Sequence, residues 1–142
     1  MLPTWKPLEI NFNRPKPKGY PFVIKNLADA IKQKRMDERL SKVKLAEILD
    51  VHSVSIRKWE DDNIQPVPRM LKRIINWLGY IPPLKVDKNT LGGQLYIFRV
   101  LHGYQQEEVA KMLRMDNWAL CKIENNEYVE DVYIDKIRSL LI

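Results

Sequence analysis

Apolar residues recur at helical intervals along this chain, and the pattern occurs twice. Leu27, Ile31 and Arg35 stand four apart, which sets them on one face and predicts a helix over 27–39. Ser41, a side chain suited to capping, opens a second helix through Leu49, whose inner face is Val43, Leu45, Ala46 and Leu49. The turn Asp50-Val51-His52 leads into a third helix over 53–61, with Ile56, Trp59 and Glu60 pointing inward and His52 expected to cap it or meet a phosphate. Gln65-Pro66-Val67-Pro68 ends that run, because proline lacks a donor and restricts the residue before it. A fourth helix near 68–77 carries Met70, Leu71, Ile74 and Ile75, with Leu78 at its end.

Shifting the sequence by 64 residues lays the second half on the first without a gap. Between Leu27 and Glu60 six positions are identical: Leu27/Leu91, Arg35/Arg99, Ala46/Ala110, Leu49/Leu113, Lys58/Lys122 and Glu60/Glu124. Apolar pairs such as Ile31/Leu95, Leu45/Val109, Ile56/Leu120 and Trp59/Ile123 fall between them, whereas exposed positions mostly differ. The second copy therefore predicts helices from Thr90 to Leu101, Gln105 to Leu113, Asn117 to Asn125 (capped by Asp116), and Asp131 to the end. No strand is expected. The fold class is all-α: two tandem small helical bundles, over 26–80 and 91–142. A Pro-rich arm over 1–25 precedes them and a linker over 81–90 joins them. Each bundle alone lies near the lower size limit for independent folding, about 55–65 residues.

Two helices joined by a three- or four-residue turn within a small helical bundle make a helix-turn-helix pattern. One copy is carried by Leu40-Ser41-Lys42-Val43-Lys44-Leu45-Ala46-Glu47-Ile48-Leu49 with Val54-Ser55-Ile56-Arg57-Lys58-Trp59-Glu60. The other is carried by Gly103-Tyr104-Gln105-Gln106-Glu107-Glu108-Val109-Ala110-Lys111-Met112-Leu113 with Leu120-Cys121-Lys122-Ile123-Glu124-Asn125. On these strings the chain resembles the phage repressor and Cro type of helix-turn-helix protein, over Leu27–Tyr80 and again over Leu91–Ile142. The resemblance implies an ion pair from the first helix to the end of the third, and Arg35/Glu60 and Arg99/Glu124 share the spacing of 25 residues. It departs from the family at Asp50 and Arg114, where glycine is usual, which implies a strained or altered turn in the second copy.

The resemblance implies a sequence-specific double-stranded DNA-binding protein, a transcriptional regulator (repressor) of phage or mobile-element type. Its third helix would enter the major groove. In the first unit the outward positions are Ser53, Val54, Ser55, Arg57 and Lys58, with Arg57 able to grip a guanine and Val54 a thymine methyl. Lys42 and Lys44 would meet phosphates. In the second unit Asn117, Trp118, Ala119, Cys121 and Lys122 stand at the same places. Gln105 and Gln106 open its second helix, Gln106 matching the family's phosphate-bracing glutamine. Trp118 is unusual on a groove-reading face and points equally to a homodimer or protein partner through this unit. The same fold also serves antitoxin or anti-defence interaction modules and architectural factors for recombination or transposition, so these remain alternatives.

Charge divides the chain in the same way. The net charge of +6 breaks down as +4 over 1–25, +3 over 26–80 and −1 over 81–142. In the arm, Arg14, Lys16 and Lys18 alternate with prolines, which predicts an extended basic segment suited to a minor groove. Trp5, Leu8, Ile10 and Phe12 before it offer an apolar packing surface.

One cysteine, Cys121, excludes an internal disulfide. The absence of a long apolar run predicts neither signal peptide nor membrane span, hence a cytoplasmic protein. His52 and His102 do not correspond between the copies, and metal-ligand spacings and phosphate-cradling glycine loops are missing. The sequence thus predicts no enzyme, no cofactor and no metal.

Overall fold

A computed structural model describes residues 15–142. Arg14 and the apolar positions Trp5, Leu8, Ile10 and Phe12 lie outside them. The described residues form eight helices and no strand: α1 Leu27–Asp37, α2 Lys42–Leu49, α3 Ser53–Glu60, α4 Pro68–Leu78, α5 Leu91–His102, α6 Gln106–Met112, α7 Asn117–Glu124 and α8 Asp131–Leu141. The protein is all-α, and each helix falls within two residues of its expected bounds. None is long and apolar enough to cross a membrane.

Side-chain caps start three of the helices. Asn26 accepts from the Asp29 N–H at 2.8 Å, Ser41 from that of Lys44 at 3.0 Å, and Thr90 from that of Gly93 at 3.0 Å. His52 and Asp116 occupy cap positions but make no capping bond, contrary to expectation. The Gln105 N–H instead donates to the Glu108 carboxylate at 2.7 Å. Substituting Ser41→Ala should cost about 1 kcal/mol, because the Lys44 N–H loses its acceptor while the helix keeps its packing; urea denaturation reads the change.

The two sets of four helices bend at matching points. Left-handed residues end the first helix of each set (Arg39, φ 56°; Gly103, φ 70°) and the second (Asp50, φ 55°; Arg114, φ 53°). Asn63 and Asn126 do the same after the third. That last pair is 63 apart, so the second set is one residue shorter there. The turn after the second helix does not change at Arg114: Met115 N–H donates to the Ala110 carbonyl at 3.0 Å, as Val51 N–H does to that of Ala46 at 2.9 Å. Both residues lack glycine's freedom, and each left-handed L-residue costs about 1–2 kcal/mol. Arg73 and Lys136 stabilise the two turns from the last helix of each set. They donate to the Leu49 and Arg114 carbonyls at 3.3 and 3.0 Å, where a helix C-terminus favours positive charge.

Each set encloses a core. The first centres on Ile31, Leu45, Ile56, Leu71 and Ile74, the second on Leu95, Val109, Leu120 and Ile137. Val43 is absent from the first: it is 60% exposed, because it lies about 200° around the helix from Leu45. The boundary between the cores runs through α5. Leu91, Leu95 and Phe98 face the second core, whereas Val100 is fully buried in the first and Tyr96 packs against it. The expected linker is packed as well. Pro82 is fully buried, Leu84 lies on the first core, and the Lys85 N–H donates to Gln65 at 3.0 Å. At the start of α5, Gly92 and Gly93 are pressed against the Ile123 and Asp87 backbones, where any Cβ would collide.

Candidate nucleic-acid interface

The platform beneath the α2–turn–α3 unit is an ion pair. Arg35 reaches from α1 to the end of α3, where its Nε and Nη2 donate to the two oxygens of Glu60 at 2.6 and 3.0 Å. Its Nη1 donates to the Leu40 carbonyl at 2.9 Å, so the one guanidinium clamps α1, the approach to α2, and α3. The Glu60 side chain is 0% exposed. The second set repeats the arrangement: Arg99 grips Glu124 through both nitrogens and donates to the Tyr104 carbonyl at 3.1 Å. This bidentate geometry is the strong form of a charged hydrogen bond. It holds the helix at a fixed angle and leaves the outward residues at the start of α3 to face solvent.

Ser53, Val54, Arg57 and Lys58 are exposed, and Ser55 is half-buried. Among the described residues Arg57 and Lys58 make no side-chain hydrogen bond or ion pair, and no acid lies between Ser53 and Lys58. At the start of α2, Lys42 and Lys44 stand in a first turn without acids. A helix N-terminus favours negative charge, so two lysines there leave room for an external anion. Lys42 is not free, however: its ammonium donates to Asp61 at 2.7 Å. That bond, helped by the nearby Lys32 and Arg57, holds the Asp61 carboxyl below its usual range. Lys44 pairs loosely with Glu47 at 3.1 Å, both largely exposed. A phosphate would therefore have to compete with Asp61 for Lys42, and with much less for Lys44.

Lys32 is a candidate that the sequence does not single out, because α1 reads as a structural helix. Its ammonium lies beside Gly19 of the arm and near enough to Asp61 to influence it. The available signal was the repeat itself, since Lys32 corresponds to the apolar Tyr96.

The described part of the arm is not extended. Pro17–Tyr20 forms a turn closed by the Tyr20 N–H on the Pro17 carbonyl at 3.1 Å, with Gly19 at φ 80° in its third position. Lys16 and the Tyr20 hydroxyl both donate to Asp37 of α1, at 3.1 and 2.8 Å. Asp37 raises the Lys16 ammonium above its ordinary value, and burial first, then this hydrogen bond, raises the Tyr20 phenol. The arm thus folds back on α1; Lys16 is engaged there and Lys18 is exposed.

In the second set Asn117 is exposed and Trp118 is 63% exposed. The Lys122 ammonium lies 4.4 Å from the centre of the Trp118 ring and 4.0 Å from Glu127. Ala119, expected to face outward, is fully buried: a methyl at that position closes against the core. Cys121 is half-buried and accepts from the Asn125 amide at 3.7 Å. Gln105 is exposed. Gln106 is turned inward, its amide nitrogen donating to Glu124 at 2.7 Å, so that amide is committed to the ion pair. Gln105, Gln106 and Asn117 line a groove together with Pro68, the first residue of α4, and with Arg99 and Glu107.

Among the described residues no group of three or more His, Cys, Asp or Glu side chains is placed to hold a metal ion. No family model, curated protein or solved structure matches the chain.

Proposed function

We propose that this chain is a sequence-specific double-stranded DNA-binding protein, a transcriptional regulator of repressor type, built from two tandem helix-turn-helix units. The first unit reads the major groove with α3. The observation that carries this reading is the α3 face: Arg57 and Lys58 project without protein partners beside Val54 and Ser53, on a helix fixed from behind by the Arg35–Glu60 clamp. Side chains on the outward face of such a helix meet base edges, while Lys44, Lys32 and Lys18 are the candidates for phosphates. The reading involves no metal, cofactor or catalytic step.

A second reading makes the second unit a protein-binding surface, and the exposed Trp118 favours it. A salt titration separates the two. If the chain neutralises about four phosphates, its affinity for duplex DNA should fall about a hundredfold between 50 and 200 mM salt. A flat salt response, together with weak duplex binding, would favour the protein surface.

A further inference from the structure

We propose that the two units form one rigid reading head. On this proposal the chain engages a single composite duplex site, whose two half-sites are accepted at only one spacing. The proposal rests on the DNA-binding reading above and goes beyond it, because two tethered units would tolerate many spacings.

The junction is built as an interior rather than as a tether. Val100, from the first helix of the second unit, is fully buried in the core of the first unit. Neither unit's core is complete without α5. Around Val100 the contacts are polar and specific. Gln65, between α3 and α4, accepts from the Lys85 N–H at 3.0 Å and donates to the Tyr96 hydroxyl at 2.6 Å, joining the first unit, the connecting segment and α5 through one amide. Burial and that amide act in opposite directions on the Tyr96 phenol, and burial, the larger effect, raises it. On the other flank, Lys72 of α4 points to the His102 carbonyl at the end of α5, at 3.4 Å, and packs against Gly103. Units within one chain move relative to each other unless their interface is substantial and apolar. Here a shared helix removes that freedom.

The same junction brings the start of α4 to the starts of α6 and α7, where Pro68 lines a groove with Gln105, Gln106 and Asn117. Lys42, at the start of α2, is bonded to Asp61 just after α3. The chain from Asp61 then reaches Pro68 and that groove. The segment 61–68 therefore runs from beside Lys42, at the start of α2, to the groove at the starts of α6 and α7. Asn117, Trp118 and Lys122 would meet the duplex at a fixed distance from Val54, Arg57 and Lys58.

Two measurements on the whole chain test the proposal. Amide relaxation without DNA should give one rotational correlation time for both units; two separate times would overturn it. On a duplex selected by the whole chain, inserting about 5 or about 10 base pairs between the half-sites should each cost about 10²-fold or more in affinity, because geometry then forbids simultaneous engagement. Recovery at about 10 base pairs, a full turn, would overturn the proposal, as would selection of a site with one half only. A chain that tumbles as one body yet retains no duplex overturns the composite site through the reading beneath it. Substituting Val100→Ala should widen the accepted spacings. If that variant does not fold, Gln65→Ala removes the bridging amide without entering either core and should act in the same direction; unchanged spacing tolerance in the folded variant counts against the junction.

Discussion

Replacing Arg35 with methionine should lower the stability of the chain by about 3–5 kcal/mol, read by urea denaturation. The Glu60 carboxylate has no exposure to water, and two of the three hydrogen bonds that Arg35 donates go to it. Methionine fills much of the arginine stem's volume, so the packing loss is small and the cost comes from a buried charge without a partner. The double variant Arg35→Met, Glu60→Leu should recover much of the loss, since removing both partners of a buried pair is often close to neutral. A loss below about 1 kcal/mol in the single variant would mean that the pair does not hold α3. Arg99→Met should behave alike in the second unit, with Gln106 left as the remaining donor to Glu124.

Arg57→Ala should cost about 1–3 kcal/mol of affinity for a selected duplex while affinity for random duplex changes much less. Arg57 is exposed and makes no side-chain hydrogen bond or ion pair among the described residues, its one influence being on the nearby Asp61, so the folded state should change little. Base reading and phosphate binding separate in this comparison. An arginine gripping a guanine edge changes the ratio of specific to random affinity, whereas one that touches only phosphate lowers both equally and reduces the salt slope by about one. Lys44→Ala should show the second behaviour. Equal losses on both duplexes for Arg57→Ala would remove it from base recognition.

Much of the fold was legible because it is written in period and spacing. The helical apolar pattern places each helix within two residues of its position, and the family resemblance, supported by the repeated 25-residue separation, implies both Arg–Glu pairs that the structure forms. What the sequence hid was the use of faces. Val43 is apolar, which predicts an inward side chain, yet the helix turns it away from Leu45. Ala119 is small enough for either environment, and only the packed core decides. The arm's prolines read as an extended run, although Gly19 occupies the position where a turn accepts a left-handed residue.

The candidate site was legible in outline, since its residues follow from the helix register. Which of them are free was not, because ion pairing depends on neighbours distant in sequence. Lys42 meets Asp61, Lys16 meets Asp37, and Gln106 turns to Glu124. The most consequential omission was the second face of α5. Its trace is the replacement of Lys32 by Tyr96 in the repeat: a charged position in one copy became apolar in the other because a second core covers it. The stretch that composition marks as a linker is anchored to the first core through Pro82, Leu84 and the Lys85 N–H, although most of its side chains are exposed.

Every functional expectation above depends on recognition of duplex DNA by sequence. Selection of bound sites from a random duplex library by the whole chain, followed by affinity measurement at physiological salt, tests it most directly. A recurrent sequence should emerge, bound at least about 10³-fold more tightly than random duplex. Binding to the selected pool no tighter than to random duplex would contradict it.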